Sequence, residues 1–281
     1  MKKILITGCN GQLGRALNFL LKGKNIEIIN TDVDSLDICN ESQVLELVKK
    51  EMPDTIINCA AHTSVDKCET DQENAYQINA VGPENLAKAA KEINAQIVQV
   101  STDYVFDGNT DKPYTEADSP CPQSVYGSTK LAGEKAVAAC TDKHYIVRTA
   151  WLYGDGNNFV KTMLRLAKER DTITVVNDQF GSPTSALELG RMLLHIVDAR
   201  EYGIYHATCE GVTNWYEFAK TIFSLAHTEV NLVPVTTEEY TAAVAKRPAF
   251  SVLENHRLNS QGTYRMKNWQ DALVEYMEKL S

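Results

Sequence analysis

The sequence predicts an α/β fold built on a doubly wound parallel β-sheet, with a smaller C-terminal lobe. Short apolar segments, often β-branched, alternate with amphipathic helical patterns through the first 150 residues. Most of these segments show almost no polar alternation, which is typical of strands that are covered on both faces. A glycine-rich turn also joins the first strand to the first helix. Strand–helix alternation at this spacing indicates right-handed crossovers between parallel strands.

The first half of the chain contains five predicted strands and four predicted helices. The strands cover residues 4–7, 26–30, 55–58, 97–101 and 145–149. The helices cover residues 13–21, the region around 44–48, 75–93 and 125–139. In the first helix, Leu13, Leu17 and Leu20 share one stripe, as a helix that packs on a sheet requires. Gly82-Pro83 predicts a kink or break within the third helix.

After about residue 150 the alternation is less regular. Further strands are predicted at residues 172–176, 204–208 and 230–233, and further helices at 187–197, 215–225 and 272–280. Residues 177–184 and 246–255 are rich in Gly, Pro and polar residues, which favours loops. We therefore predict a main domain over residues 1–150, to which parts of 172–200 return. Residues 151–281 mainly form the smaller lobe, and the two units enclose a cleft.

Composition and charge exclude several classes of protein. The 281 residues are 43% hydrophobic and 23% charged, which excludes a disordered tail, a collagen-like fibre and a coiled-coil rod. The net charge of −9 disfavours nucleic acid as a partner. No apolar stretch reaches the length of a membrane span, and the apolar N-terminal stretch is too short for a signal peptide. The seven cysteines cannot all pair, and zinc-type spacings are absent. We expect a soluble cytoplasmic protein.

The glycine-rich turn predicts a dinucleotide-binding site. Gly8, Gly11 and Gly14 follow the first strand directly and lead into a helix. Glycines there permit a sharp turn, close approach of a pyrophosphate and tight helix–sheet packing, while the helix N–H groups face the phosphates. Asp32 ends the second strand, where an acid commonly binds the adenosine ribose, and Arg15 could hold a 2′-phosphate. The pattern indicates a Rossmann-like domain and leaves NADH and NADPH both open.

A tyrosine and a lysine lie four residues apart on the predicted helix 125–139. Tyr126 and Lys130 therefore share one helical face. A nearby ammonium group would lower the pKa of the phenol and make it a better general acid. Tyr216 and Lys220 have the same spacing, but their aromatic neighbours favour an ordinary packed helix.

The fourth strand ends in polar residues. Ser101 and Thr102 lie at its carboxyl end, the edge at which open α/β sheets bind ligands. A hydroxyl group at that point can donate to a substrate carbonyl, so either residue could be the third catalytic member. Without the Tyr126–Lys130 pair, a hydroxyl that caps a turn would be the preferred interpretation.

These motifs resemble the extended short-chain dehydrogenase/reductases that act on nucleotide sugars. Longer strings are similar to one branch of them, the dTDP-4-dehydrorhamnose reductase family. They lie at residues 58–69, 101–108, 126–134, 148–151, 157–163 and 177–184, and again at 247–253. The resemblance implies reduction of the C4 ketone of dTDP-4-dehydro-L-rhamnose to dTDP-L-rhamnose, with NADH or NADPH as the hydride source.

The resemblance also implies roles for individual residues. Tyr126 would be the acid, Lys130 would bind the nicotinamide ribose, and Thr102 would hold the carbonyl oxygen. Asp103 and Trp151 would contact the sugar, and Arg247 would pair with the diphosphate. Together with the glycine turn, this predicts a cofactor-binding set consisting of Gly8, Asn10, Gly11, Gln12, Leu13, Gly14, Asp32, Asp37, Ile38, Ala61, His62, Thr63, Tyr126 and Lys130. The expected partner is a small nucleotide-sugar substrate, bound by a monomer or homodimer.

Three alternative functions share parts of this motif pattern. A nucleotide-sugar 4,6-dehydratase needs an Asp-Glu pair after the strand-four threonine, whereas Asp103 is followed by Tyr104. A 4-epimerase is the enzymatic alternative, and a non-catalytic regulatory subunit that binds the cofactor is the other. We expect no metal: for the lone His62 we favour a backbone contact near the cofactor. Ala16 stands where some family members have a metal-linked acid.

Overall fold

A computed structural model describes residues 2–240 and 244–280. Its strands are β1 (Lys2–Thr7), β2 (Ile26–Thr31), β3 (Thr55–Asn58), β4 (Gln96–Thr102), β5 (His144–Thr149), β6 (Leu152–Tyr153), β7 (Thr172–Val176), β8 (Phe180–Gly181), β9 (Thr184–Ser185), β10 (Gly203–His206), β11 (Thr213–Asn214) and β12 (Asn231–Val235). Its helices are α1 (Gln12–Leu21), α2 (Glu41–Glu51), α3 (Val65–Thr70), α4 (Gln72–Tyr76), α5 (Gly82–Glu92), α6 (Val125–Cys140), α7 (Phe159–Glu169), α8 (Ala186–Ala199), α9 (Trp215–Leu225), α10 (His256–Gln261) and α11 (Trp269–Leu280).

Six strands form one parallel sheet in the order β2-β1-β3-β4-β5-β10, which confirms the predicted doubly wound α/β fold. The chain passes from β1 to β2 on one side and then to β3 on the other, so the strand order reverses at β1. Ligands of open α/β sheets bind beyond the carboxyl ends of the strands at such a reversal. Thr7, Asn58 and Thr102 end three adjacent strands at this edge.

Both faces of the sheet are covered, as the apolar strands predicted. On one face, Leu17 of α1 packs with Leu189 and Leu193 of α8 in a fully buried cluster. On the other face, Val48 of α2 and Leu86 of α5 belong to a second buried cluster. None of the helices within the two described ranges is long and apolar enough to cross a membrane.

A third apolar cluster lies in the C-terminal part of the chain. Its large buried members include Tyr153, Val160, Phe218, Trp269 and Leu273. Helix α8 packs on α1, and β10 joins the sheet edge beside β5. The domain division at residue 150, with parts of 172–200 returning to the first domain, stays a prediction; α8 lies within that range and β10 lies just beyond it.

The irregularity predicted at Gly82-Pro83 takes the form of a π-helical turn. This turn covers Gln77–Val81, between α4 and α5, so the helical backbone continues through the region. Pro83 has no N–H for the carbonyl of Asn79, four residues earlier, and a proline is tolerated in the first turn of α5. The Asn79 carbonyl packs instead on α6, where a Cβ added at Gly133 would lie 2.1 Å from it.

Several short elements were not predicted. The predicted loop 177–184 contains β8 and the start of β9, and helices α3, α7 and α10 have no counterpart in the prediction. Strands of two residues are too short for a periodic pattern to reveal them. Helix α7 is strongly amphipathic, with Val160 and Met163 buried. Its helical pattern was not recognised because the sequence on either side of it is irregular.

Candidate active site

Two adjoining cavities follow the carboxyl edge of the sheet at the point where the strand order reverses. The first has a volume of about 600 Å³, and its wall includes Gly8, Gly11, Asp32, Asp37, Ile38 and Ala61. The second has a volume of about 530 Å³, and its wall includes Gln12, Leu13, Thr63, Thr102, Asp103, Tyr126, Lys130, Trp151 and Arg247. Gly11, Cys59, Ala60 and Ala61 line both, so the cavities form one continuous groove.

The glycine turn has the shape that a pyrophosphate requires. Gly8 adopts a φ of +62°, and a Cβ added there would lie 2.7 Å from the Ala60 nitrogen. A Cβ at Gly14 would lie 2.5 Å from the Gly8 carbonyl oxygen, so α1 packs directly on the turn. Gly11 precedes α1, and no side chain from the described part of the chain caps this N-terminus. Free N–H groups at a helix start attract phosphate oxygens.

The carboxylate of Asp32 both lines the first cavity and supports the glycine turn. Its Oδ2 accepts a hydrogen bond of 2.9 Å from the Asn10 backbone N–H, and its Oδ1 accepts one from Val33 N–H. The Arg15 Nε donates to the Asn10 carbonyl at 2.7 Å, and its Nη1 lies 3.2 Å from Asp155 Oδ2. Asn10 therefore shapes the turn through its backbone and does not line either cavity.

His62 lines neither cavity, and its ring nitrogens contact other side chains. Its Nδ1 lies 3.1 Å from Cys68 Sγ, and its Nε2 lies 3.8 Å from Asp71 Oδ2. The Asn79 side chain holds the His62 backbone at both its N–H and its carbonyl. This arrangement favours a backbone role for His62. Within the described ranges, no group of three His, Cys, Asp or Glu side chains could hold a metal ion.

The first turn of α6 is docked against the turn that follows β4. The Ser124 hydroxyl caps the helix by accepting from Gly127 N–H at 3.1 Å, and Glu69 accepts from Val125 N–H at 2.9 Å. A Cβ added at Gly127 would lie 2.1 Å from the Tyr104 carbonyl oxygen. The small residues near Tyr126 thus permit the close approach that the sequence suggested.

Tyr126 and Thr102 meet in the wall of the second cavity. The Tyr126 ring packs edge-on to Tyr104, with ring centroids 5.5 Å apart. Burial raises the pKa of Tyr126, while a hydrogen bond with the Thr102 side chain acts in the opposite direction. The sequence predicted a pKa lowered by Lys130, so the structure gives the opposite direction. The physical reason is burial of the phenol, and as a result Tyr126 keeps its proton at neutral pH.

Lys130 is almost completely buried, with 3% of its surface exposed. Its Nζ donates to the Val100 carbonyl on β4 at 2.6 Å. Burial lowers the pKa of Lys130 to about 8, although Glu134 and Cys59 favour the charged form. The ammonium form therefore predominates at neutral pH and is lost just above it.

Polar atoms without partners line the second cavity. Asp103 is 2% exposed, and its Oδ1 accepts a hydrogen bond of 2.9 Å from the Thr102 hydroxyl. Burial raises the pKa of Asp103 to about 6. No residue of the described ranges is hydrogen bonded to Asp103 Oδ2, Gln12 Oε1 or Thr149 Oγ1. Buried polar atoms nearly always have partners, and these three belong to residues that line the second cavity, where a polar ligand would supply them.

The far wall of the second cavity combines aromatic rings with a cation. Trp151 is stacked on Trp215 with ring centroids 3.6 Å apart. Arg247 Nη2 lies 2.7 Å from Asp66 Oδ2, while Asp66 Oδ1 accepts from the N–H groups of Val244 and Ala245. Burial alone would raise the pKa of Asp66, but these bonds together lower it.

The structure brings together most of the predicted site and adds residues that the sequence did not reveal. Trp215, Asp66 and the Val100 carbonyl belong to the site although none was predicted. Trp215 stands directly before the second tyrosine–lysine pair, a position that gave no signal of its own. Lys220 of that pair is exposed and lies 3.5 Å from Glu217, as expected of an ordinary helix.

Comparison with known proteins gives consistent results. The family model described as "RmlD substrate binding domain" matches residues 1–281. The dTDP-4-dehydrorhamnose reductase of Escherichia coli (strain K12) is 41% identical over 295 aligned residues, covering 99% of this chain and 97% of that protein.

Solved structures agree with the sequence relatives. A dTDP-4-dehydrorhamnose reductase from Clostridium acetobutylicum is 53% identical, with a TM-score of 0.97 and coverage of 99% of both chains. A dTDP-4-dehydrorhamnose reductase from Bacillus anthracis str. Ames, solved in complex with NADP, is 44% identical. It also has a TM-score of 0.97, covering 99% of this chain and 100% of that one.

Proposed function

Because the chain belongs to the RmlD substrate binding domain family, we propose that it is an NADH- or NADPH-dependent reductase that converts dTDP-4-dehydro-L-rhamnose to dTDP-L-rhamnose. One observation of the structure carries the proposal. The side chains of Tyr126, Thr102 and Lys130 meet in the wall of a cavity that adjoins the glycine turn. A proton donor thus lies beside a groove shaped for a dinucleotide.

The groove suits a nicotinamide dinucleotide. The free N–H groups of α1 would bind the pyrophosphate. Gly8, Gly11 and Gly14 have no Cβ atom, so the backbone of the turn can come close to it. The first cavity would hold the adenosine half, because its wall includes Asp32, Asp37 and Ile38. The second cavity would hold the nicotinamide half, with Ala61 and Thr63 in its wall. When bound, the reduced dinucleotide supplies the hydride.

The chain itself supplies the proton and orients the ketone. Tyr126 donates its phenolic proton to the substrate C4 oxygen, which Thr102 orients through its hydroxyl group. The Lys130 ammonium stabilises the phenolate that remains on Tyr126. Asp103 accepts a sugar hydroxyl through its carboxylate, which lines the second cavity. Arg247 pairs with the diphosphate and supplies positive charge in an acidic protein.

We propose further that the protein acts in the cytoplasm on a small-molecule nucleotide sugar, as a monomer or homodimer, without nucleic acid or membrane. The test of function is consumption of NADH and NADPH with a panel of 4-keto nucleotide sugars. A reductase oxidises one cofactor per ketosugar reduced. An epimerase gives no net oxidation, and a regulatory subunit binds cofactor without turnover, so either result would reject the proposal.

The pH dependence of kcat/KM should be bell-shaped, with a maximum between about 6 and about 8. The Asp103 carboxylate is charged above its pKa of about 6, and protonation below it removes an acceptor for the sugar. The Lys130 ammonium is charged below its pKa of about 8, and deprotonation above it removes the charge that stabilises the phenolate. Initial rates over a pH series measure both limbs. A rate that still rises well above the Lys130 pKa would contradict these roles.

Arg247→Ala should raise KM for the nucleotide sugar about 10- to 100-fold, with a smaller effect on kcat. Loss of a charge-assisted hydrogen bond costs about 1.5–3 kcal/mol, and the diphosphate lies away from the reacting carbon. Lys246→Ala is the matched control, because Lys246 is an exposed neighbour whose Nζ is 3.3 Å from Gln123 Oε1. Equal KM values for the two variants would argue against a diphosphate contact at Arg247.

A further inference from the structure

Helix α6 carries a third polar residue in line with the proposed catalytic pair. Tyr126, Lys130 and Glu134 are spaced at four-residue intervals, so they share the face that packs on β4. Glu134 is 3% exposed and has no part in the chemistry described above. A carboxylate so deeply buried is retained only where charged or hydrogen-bonding partners surround it.

Those partners come from β4 and β5, two neighbouring strands of the sheet. Arg148 of β5 binds Glu134 with two nitrogens: Nε lies 3.0 Å from Oε1, and Nη2 lies 2.7 Å from Oε2. The Ser101 hydroxyl of β4 donates to Glu134 Oε1. The strand register places Ser101 directly opposite Arg148, so one carboxylate joins α6 to both strands.

Three consecutive residues at the end of β4 match the three side chains of the helix. The Val100 carbonyl accepts from Lys130 Nζ, the Ser101 hydroxyl donates to Glu134, and the Thr102 side chain lies close enough to Tyr126 to affect the pKa of its phenol. A shift of α6 by one turn would break all three contacts together. The Glu134 carboxylate accepts hydrogen bonds from Ser101 and from two nitrogens of Arg148, so it is the most constrained of the three side chains.

We propose that Glu134 is a positioning residue: it holds α6 in register with the end of β4 and supplies the buried negative charge that keeps Lys130 an ammonium ion. The expected effect of Glu134 on turnover rests on the proposed reductase function. Its structural part, the alignment of Tyr126 with Thr102, depends on the contacts alone.

The electrostatic surroundings of Lys130 support this role. Burial lowers the pKa of Lys130, and Glu134 gives the larger of the two opposing influences. The titratable groups on or near the elements that pack on α6 include Arg148, Asp103, Tyr104, Cys68, Glu69, Glu84, Lys88, Lys91 and Cys59. Of these, Cys59 also acts on Lys130, but burial raises the pKa of its thiol to about 12, so it is uncharged at neutral pH. Glu134 is therefore the counter-ion at working pH.

The test is the pH dependence of dinucleotide binding and of kcat/KM in Glu134→Gln. Cofactor fluorescence gives the Kd without any ketosugar, so this readout is independent of whether the reductase assignment holds. The alkaline midpoint is the pH at which binding or kcat/KM falls to half as Lys130 loses its proton. We expect this midpoint to fall by about one pH unit, because loss of an opposite charge one helical turn away weakens proton binding at Lys130 about tenfold. Ser101→Ala, which removes one hydrogen bond and no charge, should leave the midpoint in place.

A second variant keeps the test informative if Glu134→Gln alone does not fold. Glu134→Gln alone leaves the Arg148 charge buried and unpaired, whereas Glu134→Gln combined with Arg148→Gln removes both charges together. The double variant should show the same downward shift, since Glu134 is the member of the pair that acts on Lys130. If the midpoint stays at the wild-type value in whichever variant folds, the charge role of Glu134 is overturned.

Discussion

Tyr126→Phe is expected to lower kcat about 100- to 10,000-fold while dinucleotide binding stays unchanged. General acid catalysis contributes rate factors of this size, and the substitution removes only the phenolic oxygen that donates the proton. The ring stays edge-on to Tyr104, and the Ser124 cap and the Gly127 contact of α6 do not involve the phenol. Steady-state rates and a cofactor titration on the same preparation measure both quantities.

Tyr216→Phe is the matched control for this variant. Tyr216 begins the second Tyr-x-x-x-Lys pair of the chain, in α9, and lines neither of the two adjoining cavities. We expect its turnover to equal that of the wild type. Near-normal turnover in Tyr126→Phe would reject the phenol as the acid, whatever the control shows.

Lys130→Met is expected to weaken both dinucleotide binding and turnover. Methionine fills the buried space of the lysine stem but removes the ammonium that bonds the Val100 carbonyl and stabilises the phenolate. Loss of a hydrogen bond to a charged group is worth about 1.5–3 kcal/mol, which corresponds to a Kd about 10- to 100-fold higher. The alkaline limb of the pH profile should disappear with the titrating group.

Lys220→Met provides the comparison, because Lys220 has the same spacing from a tyrosine but lies exposed beside Glu217. It should leave Kd and kcat unaltered. An unchanged dinucleotide Kd in Lys130→Met would contradict the ribose contact, even if turnover fell.

The parts of the site that are local in sequence were predictable. A strand–turn–helix glycine pattern predicts a phosphate-binding turn, since the backbone geometry at Gly8 and Gly14 follows from neighbouring residues. The four-residue spacing places Tyr126 and Lys130 on one face of any helix that forms there. Thr102 follows from the rule that parallel strands present their carboxyl ends to ligands.

The parts that depend on tertiary contacts were not predictable. Asp66 and Arg247 lie 181 residues apart, and nothing local to either one indicates the ion pair. The pairing of Glu134 with Arg148 depends on how α6 packs on β4 and β5, which a single sequence does not reveal. The direction of the Tyr126 pKa depends on how deeply the phenol is buried, so reasoning from its lysine neighbour alone was incomplete.

A crystal structure of the wild-type protein with dTDP-L-rhamnose and a nicotinamide dinucleotide would test the proposed chemistry directly. The account predicts that the Tyr126 phenolic oxygen and Thr102 Oγ1 both lie within hydrogen-bond distance of the sugar O4, with the nicotinamide ring on the adjoining side. A sugar bound elsewhere, or a phenol turned away from both ligands into the protein interior, would contradict it.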